Sequence, residues 1–180
     1  MPKISDDDIL SSRILLVDDD PVNLQVAVNH LRSDRVTVTP VTSGREALAL
    51  LDRGVHFDLV LLDIMMPGID GFETCRRLKA DPHTADIPVV FMTALTDTKD
   101  KVKGFEVGGV DYVTKPIQHE EVLARVNSQL TIQKQQRKLA EQNEQLEKMS
   151  QDLAENNEQL ERLNASKDRF FSIISHDLKN

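Results

Sequence analysis

The positions of glycine and proline divide this chain of 180 residues into two parts. All seven glycines and all seven prolines lie before residue 117, and the stretch from Ile117 to Asn180 contains neither. Because these residues supply tight turns and end helices and strands, a fold with short loops is expected only in the first part. The second part can form one uninterrupted helix.

The first part alternates between short apolar runs and helical patterns. Five runs are too short and continuous for surface helices and predict buried strands, each followed by a helical segment. Strands that are apolar on both faces are typical of a parallel, doubly wound α/β sheet covered by helices on both sides. The predicted strands are residues 13–18, 36–41, 58–63, 87–93 and 111–114, and the predicted helices begin at Pro21, cover 44–52, 72–80 and 99–106, and follow Pro116.

Composition argues against several classes of function. The net charge of −8, of which −7 lies in residues 1–130, disfavours nucleic-acid binding, and one Tyr with no Trp leaves little for stacking bases. The single cysteine, Cys75, excludes an intramolecular disulfide and fits a reducing compartment. No run approaches the roughly 18 apolar residues of a membrane span, and no signal peptide is recognisable, so a cytoplasmic location is expected.

Reactive side chains lie at the ends of the predicted strands. Asp18 and Asp19 end the first strand, Asp63 the third and Thr93 the fourth, and Lys115 directly follows the fifth. Because ligand sites of parallel sheets form at the carboxyl ends of strands, these side chains are expected to converge. Carboxylates held together repel one another, and Mg²⁺ relieves the repulsion with two carboxylates and a backbone carbonyl as sufficient protein ligands.

Asp63 is the best candidate for a nucleophile, since it stands alone at a strand end before a Pro-Gly loop. A carboxylate nucleophile forms an aspartyl-phosphate, whose oxygens a metal ion and Lys115 would neutralise and to which Thr93 would donate. Taken singly, each residue has an ordinary interpretation: Asp19 or Asp20 as a helix N-cap, Asp63 as a turn cap, Thr93 as a strand former and Lys115 as an exposed lysine. Their combination favours phosphoryl transfer.

Four segments closely resemble the receiver domain of two-component response regulators. They are ILLVDDDP at 14–21, VLLDIMMPGIDG at 60–71, VVFMTA at 89–94 and YVTKP at 112–116, within a resemblance that covers residues 12–130. The resemblance implies a flavodoxin-like fold that is phosphorylated by an upstream histidine phosphodonor protein.

The resemblance also implies roles for residues at the phosphorylation site. Asp63 would be the phosphoacceptor. Asp18 and Asp19 would form the acidic pocket for Mg²⁺, with Asp63 and the backbone carbonyl of Met65 as further ligands.

A switch is implied as well. Thr93 and Lys115 would be the switch hydroxyl and the lysine that contacts the phosphoryl group, and Tyr112 the aromatic switch residue rather than an ordinary half-buried strand tyrosine. Phosphorylation adds about −1.5 to −2 charge and three acceptor oxygens, which would draw Thr93 and Lys115 inward. Tyr112 would then occupy the space that Thr93 leaves.

Leucines spaced seven apart mark the second part of the chain. They are Leu139, Leu146, Leu153 and Leu160, with Ile132 one heptad earlier. A narrow apolar seam among Gln, Glu, Asn and Lys predicts a parallel dimeric coiled coil, placed at residues 131–166. A disordered Gln/Glu-rich linker is the alternative.

The heptad register has two solutions. With the leucines at position a, Met149 and Leu163 fall at d beside Gln142 and Asn156; with the leucines at d, the a positions hold Asn143, Ser150 and Asn157. The first register is favoured because it buries more apolar groups.

Residues 167–180 have a wider apolar stripe, suited to a four-helix bundle, and their end, SHDLKN, resembles the H-box of sensor histidine kinases. The resemblance implies that His176 is phosphorylated, that Asp177 orients and deprotonates it, and that Asn180 assists the attacking water or acceptor. A carboxylate beside an imidazole keeps the attacking nitrogen nucleophilic.

Together these features predict the N-terminal fragment of a hybrid histidine kinase whose sensor is a receiver domain. No glycine follows Gly109, so these residues contain no glycine-rich ATP-binding loop and are not expected to autophosphorylate. The rivals are a response regulator whose coiled coil drives another output such as a nucleotide cyclase, a dimerisation adaptor, and a metal-dependent phosphatase that uses Asp63 as a transient nucleophile.

Overall fold

The computed structural model describes residues 12–32, 36–94 and 98–177. Within these ranges strands and helices alternate along the chain. In order they are β1 (Ser12–Val17), α1 (Pro21–Leu31), β2 (Val36–Val41), α2 (Gly44–Asp52), β3 (Leu59–Asp63), α3 (Gly71–Ala80), β4 (Val89–Thr93), α4 (Thr98–Glu106), β5 (Asp111–Thr114) and α5 (His119–Asp177).

The five strands form one parallel sheet in the order β2-β1-β3-β4-β5. The predicted five-stranded, doubly wound parallel sheet is therefore confirmed. The largest difference in a strand boundary is at β4, which begins at Val89 instead of Ile87. The intervening Pro88 has no N–H to donate to a neighbouring strand, although its carbonyl accepts a 2.9 Å hydrogen bond from the N–H of Val60.

Two apolar layers cover the sheet, one on each face. Alternate residues of one strand point to opposite layers: Leu15 and Val17 of β1 belong to the layer that packs on α2 and α3, whereas Ile14 and Leu16 belong to the layer that packs on α1 and the first part of α5. This double coverage explains why β1, β3 and β4 read as continuous apolar runs.

Side-chain caps fix where three of the helices begin. The carboxylate of Asp20 accepts from the N–H of Val22 at 2.8 Å, Ser43 Oγ accepts from Glu46, and the Asp70 carboxylate accepts from Glu73. Each cap satisfies an N–H that has no partner within the helix. The ordinary interpretation of Asp20 as an N-cap is thus correct.

Cys75 on α3 is buried in the layer formed with α2 and α3. Its thiol donates to the carbonyl oxygen of Val107 at 3.4 Å, and burial raises its pKa to about 11. The thiol is therefore neutral at physiological pH and unreactive while this layer is closed.

The chain divides into two units, residues 1–134 and 135–180. In the first, Val122, Val126 and Leu130 of α5 are buried against the sheet. In the second, α5 continues to Asp177 with its large apolar side chains exposed. Among the described residues, no helix is both long and apolar enough to cross a membrane.

Candidate functional site

Three carboxylates meet at the carboxyl edge of the sheet. Asp18 directly follows β1 and Asp63 ends the neighbouring strand β3, where Val17 pairs with Leu62. Asp18, Asp19 and Asp63 each place one carboxylate oxygen within 4.8 Å of the others. Asp18 and Asp63 are buried, whereas Asp19 is exposed, so the cluster is open to solvent on one side.

Lys115 joins two of these carboxylates. Its ammonium Nζ lies 2.6 Å from Asp18 Oδ2 and 2.8 Å from Asp63 Oδ2. The lysine reaches them from the end of β5, where its backbone N–H donates to the carbonyl of Thr93 at 2.8 Å. The predicted second positive charge at this edge is thus within contact distance of both buried carboxylates.

The charges at this edge do not balance. Burial raises the pKa of Asp63, and the negative charge of Asp18 raises it further, although hydrogen bonds from Lys115 and from the Met65 N–H act in the opposite direction. Burial lowers the pKa of Lys115, but its contacts with Asp18 and Asp63 outweigh burial and hold that pKa above its ordinary value. Three carboxylates against one ammonium form a donor set that fits a hard divalent cation such as Mg²⁺.

Hydrogen bonds orient the two buried carboxylates toward Lys115. Asp18 Oδ1 accepts from the backbone N–H of Asp20 at 2.9 Å and from the side-chain amide of Asn23 at 3.2 Å, which leaves Oδ2 for the lysine. Sequence reasoning missed Asn23; the available signal was an amide in the first turn of the helix after Asp18.

Met65 lies two residues after Asp63, and its backbone N–H donates to Asp63 Oδ1 at 3.3 Å. Its backbone is therefore at the site, while its side chain is exposed. The role of the Met65 carbonyl as a metal ligand stays a prediction.

Gly71, which sequence reasoning also missed as a site residue, closes the loop after Asp63. Its N–H donates to the carbonyl of Ile64 at 2.9 Å. A Cβ atom at this position would lie 2.2 Å from the carbonyl oxygen of Asp63 and 2.8 Å from the Cα atom of Ile64. Both neighbours are backbone atoms next to the reactive carboxylate, so only glycine fits here without displacing Asp63.

Thr93 and Tyr112 lie on adjacent strands and border the same pocket. Thr93 is buried at the end of β4, and Tyr112 on β5 is half-buried opposite Phe91. The pocket, also lined by Gly104 and Gly109, has room for about one water molecule. The structure therefore brings the two predicted switch residues to one small space.

The predicted H-box residues belong to the second unit, residues 135–180, and not to the unit that contains the acidic cluster. His176 and Asp177 fall on the last described turn of α5, and Asn180 lies outside the described residues. Phe170, Phe171 and Ile173 of the same segment are exposed. The roles assigned to His176, Asp177 and Asn180 stay predictions.

A doubly wound sheet that carries an acidic cluster and a lysine at its carboxyl edge defines an α/β domain of the receiver class. The family model described as the response regulator receiver domain matches residues 14–127, which is more than half of the chain. The chain belongs to this family, whose members act in two-component phosphorelay signalling.

Curated relatives support the same assignment. Response regulator PleD of Caulobacter vibrioides is 44% identical over 119 residues, covering 66% of this chain and 26% of PleD. The DNA-binding dual master transcriptional regulator RpaA of Synechocystis is 43% identical over 118 residues, covering 66% of this chain and 48% of RpaA. A probable cyclic di-GMP phosphodiesterase of Vibrio cholerae is 38% identical over 144 residues, covering 80% of this chain and 32% of that protein. The chain thus spans half or less of these relatives.

Solved structures are similar over about two thirds of the chain. A putative response regulator from Chloroflexus aurantiacus aligns with a TM-score of 0.64 and 34% identity, covering 67% of this chain and 98% of that one. The receiver domain of a signal transduction histidine kinase from Syntrophus aciditrophicus aligns with a TM-score of 0.61 and 33% identity, covering 67% and 90%.

Proposed function

We propose that this chain accepts a phosphoryl group on Asp63 and transmits the resulting change through α5 to an output that begins in its C-terminal segment. The observation that carries the proposal is the cluster of Asp18, Asp19 and Asp63, with Lys115 bound to two of the three carboxylates. Such a cluster has the nucleophile, the metal-binding oxygens and the fixed cation that transfer to a carboxylate requires.

The phosphodonor is a phosphohistidine of an upstream protein. A carboxylate oxygen of Asp63 forms a bond to phosphorus as the phosphorus–nitrogen bond breaks. The electron pair of that bond stays on the donor imidazole, which leaves as a neutral ring because its other nitrogen carries a proton. Asp18, Asp19, Asp63 and the Met65 carbonyl would hold Mg²⁺, which would supply positive charge to the phosphoryl oxygens. Lys115, already 2.8 Å from Asp63, contacts the same oxygens.

The switch uses the pocket shared by Thr93 and Tyr112. The new phosphoryl oxygens accept a hydrogen bond from the Thr93 hydroxyl, which moves toward Asp63. The Tyr112 ring then moves into the vacated space, and the surface formed by α4, β5 and the start of α5 changes. Support comes from the pocket that both residues line.

The output pathway is a parallel homodimer through residues 131–166. The large apolar side chains from residue 139 to residue 163 are between 57% and 66% exposed in one chain: Leu139, Leu146, Met149, Leu153, Leu160 and Leu163. A helix with a narrow apolar seam and no partner gains little from its own packing, which favours association with a second copy.

A histidine kinase core that begins at His176 is the output we favour, with residues 167–180 as the start of its dimerisation and phosphotransfer helix. The SHDLKN sequence supports it, since a linker to another output does not need these residues. The rival is a response regulator with a different output. It is favoured by the Vibrio cholerae relative, whose match extends over 80% of this chain and whose name is that of a phosphodiesterase.

No nucleic-acid partner is proposed, although RpaA is named as DNA-binding. The described residues outside the receiver fold belong to α5 alone, and the chain carries a net charge of −8. A cytoplasmic location is proposed because the single cysteine fits a reducing compartment.

Phosphorylation at Asp63 is tested with acetyl phosphate and Mg²⁺, followed by intact mass. The natural protein and the Asp52→Asn control, altered at the end of α2, are expected to gain one hydroxylamine-labile phosphoryl group, and Asp63→Asn none. Addition of EDTA is expected to prevent the gain. A hydroxylamine-labile phosphoryl group on Asp63→Asn would show that the acceptor is another residue.

The kinase output is tested separately in the natural full-length protein with labelled ATP. Label is expected on His176 and not in His176→Ala, and its amount is expected to change in Asp63→Asn. Label on His176 that is independent of the state of Asp63 would remove the regulatory link.

A further inference from the structure

We propose that Arg125 holds the Tyr112 ring in its present position and thereby sets how readily the switch responds to phosphorylation. The proposal rests on the proposed function of Tyr112 and adds one positioning residue to it. Arg125 does not belong to the acidic cluster, and the sequence pattern alone assigns it no role.

Two cations contact the same aromatic ring. Lys101 Nζ lies 4.2 Å from the centroid of the Tyr112 ring, and Arg125 Cζ lies 5.3 Å from it. Both distances are within the roughly 6 Å over which a cation is attracted to the face of an aromatic ring. Lys101 belongs to α4 and Arg125 to α5, so the ring at β5 is contacted by cations from two separate helices.

The two helices lie on opposite faces of the sheet. Gly104 of α4 packs against the Phe91 ring, in the layer formed with α2 and α3. Val122 and Val126 of α5 belong to the layer formed with α1. A ring that stays beside both Lys101 and Arg125 must therefore remain at the edge of the sheet, at β5.

Arg125 is itself fixed in place. Its guanidinium donates to Asp111 Oδ1 at 2.8 Å, and the same oxygen accepts from the backbone N–H of Tyr112 at 2.9 Å. Its Nε also lies 3.7 Å from Glu121, whose carboxylate accepts from the hydroxyl of Thr114 at 3.3 Å. Because Asp111 links the guanidinium to the Tyr112 backbone, Arg125 cannot follow the ring when the ring moves.

The alternative position of the ring is the pocket beside Thr93 and Phe91, in the interior of the sheet layer. A ring that enters this pocket moves away from the side of α5 and loses the contact with Arg125. Its edge-to-face contact with Phe105, at 6.5 Å between centroids, also changes. Lys101 also lines this pocket and therefore stays beside the ring in either position, so Arg125 is the cation that stabilises the present position relative to the pocket position.

The consequence is a change in apparent affinity for a phosphoryl mimic. Suppose that the mimic binds only the protein whose Tyr112 ring lies in the pocket. Its apparent Kd is then the intrinsic Kd divided by the fraction of molecules that have the ring there. One cation–π contact is worth about a two- to five-fold change in such an equilibrium. Loss of the Arg125 cation should tighten the apparent affinity for the mimic by about that factor.

The first measurement is the apparent Kd of the full chain for beryllofluoride with Mg²⁺. Arg125→Met is expected to bind about two- to five-fold more tightly than the natural protein, whereas Arg125→Lys, which keeps a cation at the ring, and Lys101→Met, which removes the cation beside both ring positions, are expected to bind as the natural protein does. Lys103→Met is the matched control, since Lys103 lies on the same helix over a different ring, 4.4 Å from the centroid of Phe72. Equal affinities for Arg125→Met and Lys103→Met would overturn the proposal.

The second measurement does not depend on phosphorylation. Tyr112 is the only Tyr and the chain has no Trp, so tyrosine fluorescence reports on this ring alone. Because the ring then lies more often in the interior pocket, acrylamide is expected to quench the free Arg125→Met protein less strongly than the natural protein, Lys101→Met and Lys103→Met. Unchanged quenching would refute the holding role by itself, whereas failure of the natural protein to bind beryllofluoride would contradict only the proposed function of Asp63.

Discussion

The carboxyl edge of the sheet and the helix beyond residue 135 differ in where their side chains find partners. Those at the edge are paired within the chain, whereas the apolar ones on the helix are exposed. At the edge, Lys115 binds two buried carboxylates, and Asp18 accepts two further hydrogen bonds from its own chain. Along the helix, every large apolar residue of the heptad pattern from Leu139 to Leu163 is more than half exposed. Substitutions at the edge should therefore change the folding and chemistry of a single domain, whereas substitutions along the helix should change only association.

The largest expected effect at the edge comes from removing its cation. Lys115→Met leaves Asp18 and Asp63 buried without their shared partner, and breaking a buried ion pair in this way costs about 3 kcal/mol. Urea unfolding of the natural protein and the variant in EDTA measures the loss, with Lys103→Met as a control for a lost lysine. Mg²⁺ is expected to restore part of the stability of Lys115→Met, and equal stability of the two variants would contradict a structural role of the ion pairs.

A smaller loss is expected from Gly71→Ala. The added Cβ meets backbone atoms of Asp63 and Ile64 that cannot rotate away, and overpacking of this kind costs about 2 kcal/mol. Gly104→Ala is the matched control, because the nearest atoms to its Cβ would be side-chain atoms, of Phe91 at 3.1 Å and of Phe72 at 3.8 Å. Urea unfolding compares the two, and a larger loss for Gly104→Ala would contradict the importance of the backbone contact.

Asp63→Asn should instead stabilise the domain, by a few degrees in Tm at neutral pH without metal. The folded-state pKa of Asp63 is raised, so the folded protein binds this proton more tightly than the unfolded chain, and this carboxylate costs stability as the pH rises through the raised pKa. Lys115 keeps Asp18 as a partner in the variant.

Thermal melts across pH test the sign of this effect. The difference in Tm between Asp63→Asn and the natural protein should shrink as the pH falls toward the ordinary pKa of an aspartic acid, about 3.9, because the Asp63 side chain then becomes neutral like that of asparagine. A difference that grew with falling pH would mean that the folded protein favours the ionised carboxylate.

The smallest expected effect on the sheet domain comes from the helix. Leu153→Asp places a charge in the apolar seam and should convert the proposed dimer to monomers in sedimentation velocity, since a and d positions of a coiled coil pack against the partner. The free energy of unfolding of the sheet domain should change by less than about 0.5 kcal/mol. Gln151→Asp, at an outward position in either register, should leave the dimer intact; if it dissociated as well, the heptad assignment would be wrong.

The sequence was sufficient for the features that depend on local pattern. Apolar runs predicted all five strands, and a carboxylate at the end of β1 and β3 followed directly from strand order and direction. Pro21 after Asp20 indicated where α1 begins, and the Asp20 cap is present. Heptad spacing predicted a helix that continues through the second unit.

Features that depend on the approach of distant segments were not predictable in the same way. The contact of Asn23 with Asp18 depends on the direction in which α1 leaves the sheet, and the need for glycine at position 71 depends on how closely α3 approaches β3. Lys101 and Arg125 meet at Tyr112 only because α4 and α5 flank the edge strand. None of these relations has a fixed spacing in the sequence.

The buried thiol of Cys75 also makes it possible to measure how often the domain opens. With a pKa of about 11 and a hydrogen bond to Val107, the group reacts only when the layer between the sheet and α3 opens. In excess thiol reagent the rate of labelling becomes the rate of that opening. Because Cys75 is the only cysteine, the fraction of protein with the mass of one added label equals the fraction of molecules that have opened. This fraction can be measured with Asp63 free or phosphorylated.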